Sequence, residues 1–84
     1  MYSVEITSRA ERDLRRLDRP TKNRLITAIN ALAHDPRPAG CLKVRSEGGV
    51  WRIRIGDWRV GYRLDDAAQG VVVIRIGHRS EFYD

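Results

Sequence analysis

Residues 50–63 read VWRIRIGDWRVGYR, and this stretch constrains the architecture more than any other. Apolar and aromatic residues alternate with arginines on both sides of Gly56 and Asp57, and a Gly-Asp pair is typical of a two-residue hairpin turn. The pattern therefore predicts two antiparallel strands that share one apolar face. That face carries Trp51, Ile53, Ile55, Trp58, Val60, Tyr62 and Leu64.

The opposite face of this hairpin gathers arginines. A tight turn sets Arg54 directly opposite Arg59 and Arg52 opposite Gly61. Like charges directly opposite each other destabilise a sheet, so a fold selected for stability alone would avoid the Arg54–Arg59 pair. We therefore expect an anion site, for which a phosphodiester is the best fit. The alternative is the ordinary solvated face of an amphipathic sheet.

The chain is short and basic. Its 84 residues predict one domain, spanning residues 1–84, in which nearly all apolar side chains are needed for the core. The formal net charge of +5 favours an acidic or polyanionic partner. No apolar run is long enough for a membrane span, and residues 1–6 lack the basic start and apolar core of a signal peptide. We therefore expect a soluble, cytoplasmic protein.

The residue types that bind metals are sparse. The lone Cys41 excludes an internal disulfide and a thiolate cluster, and we expect it to be an inert thiol. His34 and His78 lie far apart in the sequence, and neither has paired carboxylates beside it. His34 is expected in the last turn of a helix, where a cation complements the helix dipole. The sequence thus predicts no metal site and no cofactor.

Two helices are predicted before the hairpin. Thr7 or Ser8 is a suitable N-cap for the first helix, and Pro20 opens the second one within its first turn. The second helix is expected to run to about Ala33. Apolar residues recur at helical spacing in both, so the two helices read as a hairpin packed on a sheet. The inward-facing residues are Ala10, Leu14 and Leu17, then Leu25, Ile26, Ile29, Leu32 and Ala33.

Three further strands complete the predicted sheet. Residues 2–6 alternate as a first strand, residues 42–45 form a weak strand, and residues 71–76 form the most apolar strand, which we expect to be central. The order is β-α-α-β-β-β-β. This order indicates an α+β fold with a two-helix hairpin on one face of a mainly antiparallel, twisted sheet.

Three segments together resemble the RelE/ParE superfamily of bacterial toxins. They are LK at residues 42–43, the hairpin at residues 50–63, and the ending IGHRSEFY at residues 76–83. The resemblance covers essentially the whole chain and implies the RelE-like fold. The RelE branch implies a ribosome-dependent endoribonuclease that cleaves mRNA in the decoding site and is held by a small antitoxin covering its basic face. The ParE branch implies a poison of DNA gyrase without nuclease activity.

The RelE pattern implies basic catalytic side chains at Arg52, Arg54, Arg59 and Arg79, and a terminal aromatic at Tyr83, which would stack on a base or handle a proton. Some relatives have lysine at the positions of Arg52 and Arg54. Arginine is a poor general base because its guanidinium group keeps its proton. It can instead bind the phosphate and stabilise the charge that builds on phosphorus when the 2′-hydroxyl attacks.

Proton transfer then needs another group. His78 is a candidate because histidine titrates near neutral pH, and Tyr83, Glu81 and Glu47 are further candidates. Other members of the superfamily use a Glu and a His as an acid–base pair. His78 follows Ile76 at the parity of the core, however, so a hydrogen-bonded structural histidine is an equal alternative.

Other residues of the hairpin region are expected to have simpler roles. Arg63 and Arg75 share the outward parity but lie farther from the turn, so we expect surface or antitoxin-binding roles for them. Trp51, Trp58 and Tyr62 are expected to pack in the core.

The resemblance also implies partners and leaves two rival functions open. The implied partners are a cognate RelB-like antitoxin and the ribosome with bound mRNA, with promoter DNA reached only through the antitoxin complex. The rivals are a ParE-like gyrase inhibitor and a non-catalytic nucleic-acid-binding module.

Overall fold

A computed structural model describes residues 1–81 of the chain. Within these residues the element order β-α-α-β-β-β-β is the predicted one, followed by one 3-10 turn, and the fold class is α+β as predicted. The elements are β1 (Ser3–Ile6), α1 (Ser8–Arg15), α2 (Arg19–Ala31), β2 (Leu42–Lys43), β3 (Val50–Ile55), β4 (Trp58–Asp65), β5 (Gly70–His78) and the 3-10 turn η1 (Arg79–Glu81). No helix in the described part is long and apolar enough to cross a membrane.

The helix ends follow local chemistry. The Thr7 side chain accepts a hydrogen bond from the Ala10 amide at 3.2 Å, which caps α1 as predicted. Pro20 lies in the first turn of α2, also as predicted. The second helix ends at Ala31 rather than near Ala33, because the backbone tightens to hydrogen bonds between residues three apart. His34 therefore lies just beyond the helix.

The sheet has the order β1-β5-β4-β3-β2. β1 runs parallel to β5, and the other neighbouring strands are antiparallel. The prediction that residues 71–76 form the central strand is wrong in one respect. β5 has a neighbour on each side over its first half, which explains its apolar sequence, but the N-terminal strand adds beyond it and leaves β4 in the middle.

β2 is shorter than residues 42–45. The Val44 amide donates to the Val50 carbonyl, and the chain then turns through residues 45–49 back into β3. Val44 and Val50 are both buried beneath this turn. The segment of residues 44–49 is called the 44–49 loop below.

The core lies between the two helices and one face of the sheet. Tyr62 of β4 is its largest fully buried side chain, and its hydroxyl donates to the Pro36 carbonyl at 2.7 Å. Burial raises the pKa of Tyr62. Trp51 and Trp58 pack against the core while partly exposed, so all three predicted packing aromatics are confirmed. Other core residues are Ala10, Leu14, Leu25, Ile29, Leu32, Ile53, Val60, Val71, Val73 and Ile76.

An exposed network ties three distant segments together. The Tyr2 hydroxyl donates to Asp66 Oδ1 at 2.7 Å, and Arg37 Nη2 donates to Asp66 Oδ2 at 2.8 Å. The hydrogen bonds from Arg37 and then Tyr2 lower the pKa of Asp66 to about 2. The Arg37 guanidinium also lies 4.9 Å from the ring centroid of Trp51. The network joins the residue before β1, the loop after α2 and the β4–β5 turn.

The pairing of β4 with β5 contains an irregularity. Gly61 pairs with Arg75 whereas Tyr62 pairs with Val73, so Ile74 is an extra residue with no partner of its own. A residue inserted in this way reverses the alternation, so the side chains that follow it point to the opposite face of the sheet. Val73 therefore points into the core, while Arg75, two residues later, points to the other face of the sheet.

Candidate functional site

On the sheet face turned away from the helices, four arginines from three neighbouring strands lie close to the hairpin turn or in the next row. They are Arg52 and Arg54 of β3, Arg59 of β4 and Arg75 of β5, and together they define the arginine face. Arg54 pairs directly with Arg59, as the hairpin turn predicts. Side chains at such positions start about 4.5–5.5 Å apart at their Cβ atoms, so the two cations repel each other.

The second row of this face is built around a glycine. Arg52 and Arg75 both pair with Gly61, one from each side. Arg75 points outward, as its predicted parity requires, and lies one row farther from the turn than Arg54 and Arg59. Its expected surface or antitoxin-binding role stays a prediction. Arg63 is next along β4 and is held by a hydrogen bond from its Nη1 to the Gly48 carbonyl at 2.8 Å.

A carboxylate reaches the arginine face from the 44–49 loop. Glu47 Oε1 lies 2.6 Å from Arg75 Nη2, and the two side chains are 33% and 21% exposed. A half-buried pair is screened by solvent less than a surface one, so this contact orients both groups. The sequence marks Glu47 as a candidate for proton transfer, and the structure brings its carboxylate to the arginines.

The hairpin turn forms one end of the face. Gly56 has φ +62°, the left-handed conformation required at the first position of a tight hairpin turn. Arg54 Nε donates to the Gly56 carbonyl at 3.0 Å, and the Arg79 amide donates to the Asp57 carbonyl at 2.7 Å. The predicted site residue Arg79 thus begins beside the turn, one row beyond Arg59, and is exposed.

A further arginine reaches this turn from α2. The guanidinium of Arg24 lies 3.3 Å from where a side chain at Gly56 would begin. Sequence reasoning missed Arg24, because nothing in the helix pattern indicates that this residue meets the hairpin.

His78 is not among the arginines. It pairs with Trp58 at the end of β5, and its ring meets the Trp58 ring edge-on with the centroids 5.5 Å apart. Its Nδ1 lies 3.2 Å from Ser80 Oγ. These contacts agree with the interpretation of His78 as a hydrogen-bonded structural histidine. A role of His78 in proton transfer stays a prediction. Tyr83, the other candidate at this end, lies outside the described residues.

The chemistry of the site is that of anion binding. Guanidinium groups on neighbouring strands offer forked donors that match the paired oxygens of a phosphodiester. Among residues 1–81 there is no group of three or more His, Cys, Asp and Glu side chains arranged to hold a metal ion. The described side chains therefore offer cations and one carboxylate to a bound phosphate.

An apolar groove runs between the edge of β3 and the second helix. β2 covers β3 only at Trp51 and Arg52, which leaves the rest of that edge beside α2 and the loop that follows it. The groove has a volume of about 550 Å³ and is lined mainly by apolar residues, including Leu32, Ile53 and Ile55.

Sequence comparisons identify related proteins along nearly the whole chain. The family described as the ParE toxin of type II toxin–antitoxin systems, parDE, matches residues 4–83. Toxin RelG of Mycobacterium tuberculosis is 32% identical over 83 residues, which cover 98% of this chain and 95% of RelG. Toxin RelE of the same organism is 34% identical over 83 residues, covering 98% of this chain and 86% of that toxin.

Solved structures agree with these relatives. The toxin–antitoxin complex RelBE2 from Mycobacterium tuberculosis contains a chain that superposes with a TM-score of 0.83 at 31% identity, covering 93% of this chain and 98% of that one. The archaeal RelE–RelB complex from Pyrococcus horikoshii also gives a TM-score of 0.83, with 22% identity over 96% of this chain and 98% of that one. At 22% identity, the comparison with the archaeal complex shows a shared fold alone.

Proposed function

Because this chain belongs to the RelE/ParE superfamily, as a toxin of the type II toxin–antitoxin kind, we propose that it is a ribosome-dependent endoribonuclease of the RelE branch. In this proposal it cleaves mRNA by attack of a 2′-hydroxyl on the adjacent phosphodiester. The attack forms a 2′,3′-cyclic phosphate, breaks the bond from phosphorus to the 5′-oxygen of the next nucleotide and releases that oxygen as a hydroxyl, so translation stops. The observation that carries the proposal is the arginine face, where Arg54 and Arg59 are held directly opposite each other. Such a pair costs stability, and a bound phosphate would offset the repulsion.

The arginines are assigned to the phosphate. Arg52, Arg54, Arg59 and Arg79 would bind the scissile phosphodiester and stabilise the negative charge that develops on its oxygens in the transition state. Arg75 adds a fifth guanidinium to the same face. Tyr83 keeps the predicted role of stacking on a base or handling a proton.

The proton of the attacking 2′-hydroxyl needs an acceptor that arginine does not provide. We assign this role to Glu47, whose carboxylate is held at the arginine face by Arg75. His78 is the alternative proton carrier. A comparison of Glu47→Gln with His78→Gln distinguishes them. Only loss of the residue that accepts the proton should lower single-turnover cleavage by about 10²-fold or more.

The ribosome is expected to supply what the small site lacks. No acid–base pair in the described residues resembles a self-sufficient couple, so productive geometry must come from mRNA held in place by a larger assembly. The test is primer extension on mRNA translated by purified ribosomes, beside the same RNA without ribosomes. Cleavage only with ribosomes supports the proposal, and rapid cleavage of the RNA alone contradicts it.

A matched pair of variants links this activity to the arginine face. Arg59→Gln should lower single-turnover cleavage by about 10²-fold or more, the usual effect of removing one preorganised charge stabiliser. Arg63→Gln removes the same charge from the same strand but from a residue held by Gly48, and should have little effect. Equal rates for the two variants would argue against the assigned roles.

Gyrase poisoning is the second candidate, because the family matching residues 4–83 is described by the ParE toxin. A DNA supercoiling assay with purified gyrase tests it directly. Inhibition of supercoiling without mRNA cleavage would favour the ParE-like function over the RNase. A protein that only bound nucleic acid would give neither result.

The proposed partner in the cell is a cognate RelB-like antitoxin. Relatives in solved structures are in complex with RelB. Two surfaces support such a partner: the arginine face for acidic residues and the groove at Ile53 and Ile55 for an apolar segment. Promoter DNA would be reached through that complex, in the cytoplasm. Association that did not weaken at rising salt would exclude the arginine face as a docking surface.

A further inference from the structure

A second cationic surface lies between α1 and the C-terminal half of β5. β1 pairs with β5 only as far as Val73, so the β5 edge beyond Val73 faces α1 instead of another strand. α1 is fixed there by two contacts: Thr7 Oγ1 donates to the Ile74 carbonyl at 3.2 Å, and the Ile76 amide donates to Asp13 Oδ2 at 2.9 Å. The space between them is a cleft of about 390 Å³.

Two arginines of α1 and the arginine at its C-cap line this cleft. Arg9, Arg12 and Arg16 are spaced three and four residues apart, which places them on one side of the helix. Arg75 lines the cleft from β5, so the cleft adjoins the arginine face. Four guanidinium groups against the carboxylates of Asp13 and Glu47 leave a net charge of +2.

Arg12 and Arg16 lie in the last turn and at the C-cap of α1, where the helix dipole favours cations, so the dipole explains only these two arginines. Like charges at these spacings repel each other, and Arg9 stands in the first turn, where the helix dipole disfavours a cation. The Asp13 carboxylate offsets one of these charges while it accepts the Ile76 amide, so the cationic side chains remain in excess. A concave, polar and cationic site of this kind suits an anion that enters the cleft.

We infer that the cleft of Arg9, Arg12 and Arg16 binds the phosphodiester backbone of an RNA strand that continues from the arginine face. The inference rests on the proposed function in taking RNA as the substrate. Arg75 lines both surfaces, so one strand can contact them in succession. RNA is favoured over an acidic polypeptide because the cleft presents guanidinium groups with little apolar surface for a peptide side chain.

The test is binding of a single-stranded RNA of twelve nucleotides, with 2′-O-methyl groups to prevent cleavage, measured by fluorescence anisotropy over a range of salt. The variant is Arg9→Gln/Arg12→Gln/Arg16→Gln. For single-stranded RNA, each phosphate contact contributes about 0.7 to the slope of log affinity against log salt concentration, so three lost contacts should lower the slope by about 2 and weaken binding about 10²-fold at 0.1 M salt. Arg12→Gln alone should lower the slope by about 0.7.

The control variant is Arg15→Gln/Lys22→Gln/Arg19→Gln, which changes residues outside the cleft and lowers the net charge from +5 to +2 in the same way. It should leave the slope nearly unchanged. Equal slopes for the two triple variants would overturn the inference. So would an equal loss of binding to poly-L-glutamate, which would indicate a general anion surface. Urea unfolding verifies that each variant is folded. If the triple variant does not fold, the salt slope of Arg12→Gln alone tests the inference.

Ribosome-dependent cleavage measured on the same proteins separates this inference from the proposed function. If the wild type cleaves mRNA and the cleft variant keeps full affinity for RNA, the inference fails while the function stands. If no protein cleaves mRNA but the cleft variant loses affinity and salt slope, the inference stands without the RNase activity.

Discussion

The pairing of Arg54 with Arg59 should be measurable as a repulsion within the folded protein. A double-mutant cycle with Arg54→Gln, Arg59→Gln and the double variant isolates this term, because contacts that each arginine makes elsewhere cancel. This matters because Arg54 Nε also bonds the Gly56 carbonyl, so a single substitution mixes loss of that bond with relief of repulsion. We expect the coupling between the two charges to destabilise the fold.

Its size follows from the register. Two unit charges about 6 Å apart in water interact by about 0.7 kcal/mol. Ionic screening reduces this to about 0.6 kcal/mol at 10 mM salt, about 0.3 kcal/mol at 0.15 M and about 0.1 kcal/mol at 1 M. Urea unfolding of the four proteins at 10 mM and 1 M salt gives the coupling at both ends of this range.

The control cycle pairs Arg59 with Arg63, which lies on the same strand four residues away, about 13 Å along it. Its coupling should be about a third of the first at 10 mM salt. A zero or attractive Arg54–Arg59 coupling at low salt, or one that does not change with salt, would refute the argument that this site is maintained against stability.

Three further predictions concern the frame that holds the site. Tyr62→Phe should lower the free energy of unfolding by about 1–2 kcal/mol, because the Pro36 carbonyl loses its donor, and should leave mRNA cleavage unchanged; urea unfolding beside the cleavage assay checks this. The pKa of Asp66 is about 2 in the folded protein, below the ordinary 3.8, so its contribution to stability is present above about pH 4 and is lost as the pH falls towards 2. Asp66→Asn should therefore destabilise the protein at pH 7 and matter much less at pH 2, and an equal loss of stability at both pH values would contradict the ionic explanation. Gly56→Ala should cost about 1–2 kcal/mol and lower cleavage, because a side chain is strained at φ +62°, whereas Gly70→Ala, which has open space, is the control for glycine replacement.

The hairpin could be predicted from sequence because its turn fixes its register. Once Gly56 and Asp57 form a two-residue turn, every partner on β3 and β4 is determined, and the Arg54–Arg59 pair follows. The order of elements follows for a similar reason, since the helical and alternating patterns are each local.

The row in which Arg75 lies could not be predicted in the same way. The predicted outward parity of Arg75 agrees with the structure, but its pairing with Gly61 depends on the extra residue Ile74, and no residue type between 71 and 76 indicates that extra residue. The irregularity occurs where Gly61 of the neighbouring strand has no side chain, which is a property of the pairing between strands. The same limit applies to Arg24, which meets the hairpin only through tertiary packing.

The α1 arginines illustrate a third kind of limit. On a helical wheel, Arg12 and Arg16 read as part of a solvated face, and that description of the helix is correct. The cleft they line exists because β1 ends before β5 does, which leaves half of an edge open beside the helix. Glu47 was recognisable as a candidate, but its contact with Arg75 depends on how the 44–49 loop folds back.

The pairing of β1 with β5 also has a consequence for how the molecule is made. Ser3 pairs with Gly70, which lies 67 residues later in the sequence, so the β1–β5 pair closes only after β5 has been synthesised. The β3–β4 hairpin needs only neighbouring residues and can form first, whereas contacts between distant segments form slowly. A chain shortened at either end loses the same strand pair, and with it the edge against which the first helix is fixed.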